Sequence, residues 1–150
     1  MAKPTGAAGL AAALLLLAGA AGSADAAASR FLINRVNVLQ PLTALGTEPF
    51  WGVDISARGI VWSDPDLQNV RGPWHRPKTS PGKAVWTTRL PDGRALVVTA
   101  TRGPCSDGMS ERTWPLTVRA RIGADVTFSG CGATKDALAR FGNRETGEVR

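Results

Sequence analysis

The feature that most constrains this chain is the alternation of apolar and polar residues at 113–122, the clearest in the sequence. Trp114, Leu116, Val118, Ala120 and Ile122 are apolar, whereas Thr113, Thr117, Arg119 and Arg121 are polar. Successive side chains of a strand point to opposite faces of a sheet, so the run reads as a strand with one buried face. The same period recurs upstream. Leu96, Val98 and Ala100 share a side of 95–102, and Ala84, Trp86 and Leu90 share a side of 84–90. Trp51, Val53 and Ile55 alternate with Gly52, Asp54 and Ser56, and Ile60 and Trp62 follow. Turn residues separate the runs, as expected of short antiparallel strands.

Register offers an independent check, because a slip of one residue would turn an apolar face to solvent. A three-residue loop at Pro91-Asp92-Gly93 sets Thr88 opposite Leu96 and Trp86 opposite Val98. A loop at Gly123-Ala124-Asp125 sets Ile122 opposite Val126 and Ala120 opposite Phe128. A two-residue turn at Arg58-Gly59 would face Ile55 with Trp62. Together the runs predict an all-β domain at 42–134. It is a small antiparallel meander barrel of about seven to eight strands, closed or nearly closed. Trp51, Trp62, Trp86 and Trp114 fall on its inner face, where they either fill the core or line a ligand cavity.

Three segments lie outside the alternation. Residues 29–41 read as a linker or a first strand around 34–39. Residues 63–83 carry Pro65, Pro73, Pro77 and Pro81 with Trp74, His75, Arg76, Lys78 and Lys83; so long a connection in a compact domain is usually functional or mobile. Residues 135–150 read as a short helical turn, with Leu138 and Phe141 on one face, and a flexible polar tail.

The beginning of the chain has the pattern of a signal peptide over residues 1–28. Lys3 precedes an apolar run at 9–17, and Ala24-Asp25-Ala26 and Ala26-Ala27-Ala28 both offer cleavage sites. The run is shorter than the roughly 20 residues a membrane-spanning helix needs. Leu17-Ala18-Gly19-Ala20 resembles a lipoprotein processing site with alanine in place of the lipid-bearing cysteine. The expected product is therefore exported, periplasmic or secreted, and soluble, with no transmembrane segment. Two cysteines in an exported chain are expected to pair, so Cys105 and Cys131 would close one disulfide loop across 26 residues. Cleavage would remove Lys3 and Asp25 together, leaving the net charge of +6 unchanged. That balance implies either attraction to an anionic envelope polymer or lipid surface, or simply solubility.

The residues exclude most catalytic chemistry. His75 is the one imidazole and has no nucleophile-elbow motif near it, so a serine-hydrolase triad is not expected. Oxidised cysteines leave too few ligands for a metal site, and no cofactor is expected. Glu48, Asp107 and Glu111 are the candidate carboxylates for glycoside cleavage, but sequence does not bring two of them together. Phosphate-binding glycine loops and nucleic-acid-reading motifs are absent, so no nucleic-acid partner is expected.

Two segments are more specific than filler. One is Leu45-Gly46-Thr47-Glu48-Pro49-Phe50-Trp51; the other is Cys105-Ser106-Asp107-Gly108-Met109-Ser110-Glu111-Arg112-Thr113-Trp114-Pro115. With Gly130-Cys131 they resemble an uncharacterised family of bacterial envelope proteins often labelled lipoproteins, marked by GTEPFW and CSDGMSD-x-x-YP motifs. The resemblance spans roughly Leu42 to Gly132. Here Glu111 replaces the usual aspartate, Trp114 the usual tyrosine, and the lipid-bearing cysteine is missing. Family members occur beside META-type and lysozyme-inhibitor-like domains, which implies an envelope role and assigns no reaction. The candidate binding residues are thus Glu48, Phe50, Trp51, Ser106, Asp107, Gly108, Met109, Ser110 and Arg112. Asp107-Gly108 suits a tight turn, and Glu48, among aromatics, is expected to be partly buried and paired.

These readings favour a non-enzymatic binding or interaction module of the envelope. A lysozyme-inhibitor-like protein that inserts its 106–110 loop into an enzyme cleft is an alternative. So is a lipocalin-like carrier with an open lumen.

Overall fold

In the computed structural model, which describes residues 2–4 and 22–142, the alternating runs become strands of one curled antiparallel sheet. In chain order the elements are α1 (Gly22–Ser29), β1 (Leu32–Ile33), β2 (Val36–Asn37), β3 (Leu42–Thr47), β4 (Phe50–Ser56), β5 (Gly59–Ser63) and β6 (Val70–Gly72). There follow β7 (Lys78–Ser80), β8 (Lys83–Arg89), β9 (Ala95–Ser106), β10 (Thr113–Ile122), β11 (Val126–Thr134) and α2 (Lys135–Gly142). The nine-stranded sheet runs β6-β5-β4-β3-β11-β10-β9-β8-β7. Every paired couple is adjacent in sequence except β3 and β11, which join the first strand of the sheet to the last. This is the pairing of an up-and-down barrel with its seam left open between β6 and β7. At that seam the Thr88 hydroxyl donates to the Pro73 carbonyl at 2.7 Å. Gly72 lies so near Thr88 that an added Cβ would stand 2.9 Å from the Arg89 carbonyl oxygen. The sheet is therefore a half-barrel drawn almost shut.

Two of the expected hairpin registers are present: Thr88 faces Leu96 and Trp86 faces Val98, while Ile122 faces Val126 and Ala120 faces Phe128. The third is shifted. The turn is Ala57-Arg58, so Ile55 faces Ile60 and Val53 faces Trp62. Moving a two-residue turn by one position shifts the pairing by two, which keeps every side chain on its expected face. Gly59, the residue after the turn, has a φ of +139° that side-chain-bearing residues avoid.

All four expected inner-face tryptophans are core, none more than 5% exposed. Trp51 stacks on Trp62 with ring centroids 5.2 Å apart, and Phe128 tilts against Trp62 at 4.9 Å. Trp86 buries its indole N–H without a hydrogen-bond partner among the described residues.

The flanking segments add to this core. Residues 31–38 form a small hairpin, β1–β2, turning through Asn34 and Arg35, both at positive φ. Phe31, Ile33, Val36 and Val38 are buried, and the Asn34 side-chain amide donates to the Pro115 carbonyl at 2.8 Å. Helix α2 begins where the Thr134 hydroxyl accepts the Ala137 N–H, an N-cap. Its Leu138 and Phe141 pack against the core. The proline-rich connection contributes the short edge strands β6 and β7. The apolar part of the expected signal peptide and the expected tail beyond residue 142 lie outside the described residues. No helix among the described residues is long and apolar enough to cross a membrane.

Candidate functional site

The pairing of β3 with β11 brings the two sequence motifs together. Strand β3 ends at Thr47, the chain turns through Glu48-Pro49, and β4 begins with Phe50 opposite Thr47. On the neighbouring strand Cys131 pairs with Leu45, and its sulfur is bonded to Cys105 at the end of β9. The Cys105–Cys131 bridge thus pins the start of the 106–112 loop beside the 47–50 turn. The Thr47 hydroxyl completes the junction, donating to the Asp107 carbonyl at 3.1 Å.

Between turn and loop lies a cleft of about 620 Å³. Gly46, Thr47, Glu48 and Phe50 form one side, Ser106 to Met109 the other, and Ser129 and Gly130 complete the lining. Phe50 and Met109 are 62% and 71% exposed, two large apolar side chains presented to solvent. Trp51 is buried close by, its indole N–H donating to the Ser129 carbonyl at 3.1 Å. Glycine is required where this indole crosses the sheet. A Cβ on Gly46 or on Gly130 would come within 2.8 Å of the Trp51 ring.

Asp107 organises the loop. Its Oδ1 accepts the N–H groups of Met109 and Ser110 at 3.0 and 2.8 Å. Its Oδ2 accepts the Ser110 hydroxyl at 2.8 Å and the Trp114 indole N–H at 3.1 Å. These bonds, led by the Ser110 N–H and then the Met109 N–H, hold its carboxyl well below the usual carboxylate range. A carboxylate with four donors already in place is a poor proton acceptor for substrate. Gly108 takes the left-handed conformation that closes the turn, at φ +72°.

Of the expected site residues, Glu48, Phe50, Ser106, Asp107, Gly108 and Met109 line the cleft. Trp51 supports it from within the core. Ser110 and Arg112 belong to the loop, where the Arg112 N–H donates to the Ser110 hydroxyl oxygen at 3.3 Å. Glu48 departs from expectation: it is exposed, because the turn projects it away from the core side that buries Trp51. Thr47, Gly46 and Ser129 are additions. Ser129 reaches the cleft through β11, and the adjacent Gly130-Cys131 pair is the one signal in the sequence that lies beside it. Phe50 also borders a second cleft of about 310 Å³ with Ser63, Asp64, Pro65 and Gln68.

Among the described residues no three of His, Cys, Asp and Glu are grouped so as to hold a metal ion. His75 is exposed in the connection between β6 and β7. No protein-family model, curated protein or solved structure matches the chain significantly.

Proposed function

We propose that this chain is an exported, non-enzymatic interaction module of the cell envelope that grips a partner between the 47–50 turn and the 106–110 loop. The observation that carries the reading is a braced loop presenting exposed Met109 opposite exposed Phe50 across a preformed cleft. A loop already fixed by a disulfide and by the Asp107 bonds loses little conformational freedom on binding, so more of its contact energy is available as affinity. Exposed apolar side chains flanking a cleft favour contact with a partner surface over contact with water. Export is supported by the disulfide and by the apolar run and Ala-x-Ala patterns at the start of the chain. The resemblance to the bacterial envelope family rests on the two motifs that meet here.

Photo-crosslinking tests the reading. The full chain is made with benzoylphenylalanine at Phe50, at Met109, or at Ala57 on a remote turn, and irradiated in the cells that produce it. The expected result is one shared adduct at Phe50 and Met109 that is absent at Ala57. No adduct, or the same adducts at all three positions, overturns it.

The stiffness of the 106–110 loop also favours the inhibitor-like reading, since a plug must keep its shape inside an enzyme cleft. A net charge of +6 opposes encounter with basic lysozymes. Lysozyme assays with this protein and with Asp107→Ala decide the matter: absence of inhibition at micromolar protein ends that reading. The carrier reading is disfavoured by the packing of Trp51, Trp62 and Phe128 against one another inside the sheet.

A further inference from the structure

The outward face of β7 to β11 is one-sided in charge. Lys78, Lys83, Arg89, Arg119 and Arg121 occupy positions that alternate with the buried residues of their strands or share a register row with such positions. No Asp or Glu occurs at an outward position of these five strands. Cross-strand pairing places Lys78, Val85, Thr99, Arg119 and Ser129 in one row, and Thr87, Val97, Arg121 and Thr127 in the next. Lys78 and Arg119 are therefore about 14 Å apart at the backbone, and Arg119 and Arg121 about 7 Å apart. A shallow groove of about 220 Å³ runs between the two arginines, bordered by Val97, Thr99 and Thr127.

These cations are not neutralised by neighbours. The one ion pair among the described residues joins Arg94 to Asp92 at 2.7 Å, in the β8–β9 loop. The nearest other acid along the chain is Asp125, in the turn beyond β10. Arg121 donates to the Gly123 carbonyl at 3.2 Å and Arg89 to the Gly93 carbonyl at 2.6 Å. Each guanidinium has five N–H donors, so most remain for a ligand. The acids Glu48, Asp54, Asp64, Asp66, Asp107 and Glu111 lie instead at the β3–β4 turn, on β4, in the β5–β6 connection and in the motif loop.

We infer that the outward β7–β11 face binds a linear anionic polysaccharide laid across the strands, with Arg119 and Arg121 gripping its carboxylates. Guanidinium groups pair with carboxylates through two parallel hydrogen bonds, and threonine hydroxyls bond the sugar hydroxyls between them. A lipid surface fits less well, since the exposed large apolar side chains Phe50, Met109 and Val126 are not on this face and Leu32 meets it only at the β7–β8 turn. Nucleic acid also fits less well, because no aromatic residue projects from the face for bases to stack on. The groove between the two arginines shares no lining residue with the cleft and does not depend on it.

Calorimetric titration of the full chain with polygalacturonate tests this. Binding is expected, weakening markedly between about 0.05 and 0.3 M salt as the charges are screened. Arg119→Ser with Arg121→Ser should lose about tenfold or more in affinity. Arg58→Ser with Lys135→Ser removes the same charge elsewhere and should lose less than about twofold. Unchanged thermal unfolding of both double variants keeps the comparison on the surface. Equal losses in the two variants, no polygalacturonate binding, or salt-independent binding would overturn the inference. So would tighter binding to phosphatidylglycerol vesicles or to single-stranded DNA.

Discussion

Asp64 and Asp107 solve the same local problem in the same way. Asp64 accepts the N–H groups of Asp66 and Leu67 on Oδ1, and the Trp62 indole N–H at 2.8 Å on Oδ2. Asp107 does the equivalent with Met109, Ser110 and Trp114. Each aspartate fastens an exposed turn to a buried tryptophan, so the turn inherits rigidity from the core. The turn chemistry at Asp107-Gly108 was legible, because aspartate bonding to its own backbone needs no distant partner. The bond to Trp114 was not, since it depends on where β10 begins. Asp107 has a lowered folded-state pKa, so its stabilisation is full above the unfolded value of about 3.9 and is lost as pH falls. Asp107→Asn keeps the shape but loses the charge and one acceptor. It should be less stable than the parent by about 1–2 kcal/mol at pH 7, and the gap should narrow towards pH 2. Urea unfolding of both proteins across that range reads the difference. A gap that does not change with pH would mean the charge contributes nothing.

At the scale of elements, what the sequence revealed depended on whether a turn carried its own signal. Gly93 and Gly123 occupy positive-φ positions of their loops, and both hairpins have the register that alternation demands. The hairpin at 32–37 turns through Asn34-Arg35 without glycine, and arginine at a φ of 64° gives no warning in a sequence. Strands β6 and β7 have three residues each, too few for a period to show. The Cys105–Cys131 bridge joins elements that local pattern cannot relate, yet the cysteine count alone paired them. Its strand partner was hidden, however, because the β3–β11 contact links residues near opposite ends of the sheet's sequence. The cleft was therefore legible as two motifs and illegible as one place. Replacing both cysteines with serine should lower stability by about 2–4 kcal/mol, given a sequence separation of 26. It should also speed hydrogen exchange at Met109 and Ser110, whose N–H groups are held by Asp107. A loss below about 1 kcal/mol with unchanged exchange would mean that Thr47 and Trp114 brace the loop without the bridge.

On the scale of the whole molecule, the position of the seam distinguishes this sheet from a closed barrel. The chain crosses from β6 to β7 through residues 73–77, and no strand ladder spans that gap. The two ends of the described core, by contrast, lie together. The Arg140 guanidinium donates to the Arg35 carbonyl at 3.0 Å, which sets α2 against the β1–β2 hairpin. Hydrogen bonding therefore treats β7 to β11 and β3 to β6 as two runs joined at β11–β3, although the covalent chain joins them at the seam. A circular permutant should expose this difference. It would open the chain between Trp74 and His75 and join Gly142 to Arg30 by about eight glycine and serine residues, a reach of roughly 25 Å. In that order every paired couple of the sheet is a succession along the chain, with β11 followed by β3 through α2 and the hairpin. Closing the new loop and freeing the seam should change stability by no more than about 2 kcal/mol, since loop entropy grows slowly with length. The permutant should form the Cys105–Cys131 disulfide and unfold in one cooperative step. Loss of cooperativity would show that the 73–77 connection, with its Thr88–Pro73 bond, holds the half-barrel closed. In that case the proline-rich segment, rather than the β3–β11 ladder, would be the element that makes one domain of two runs.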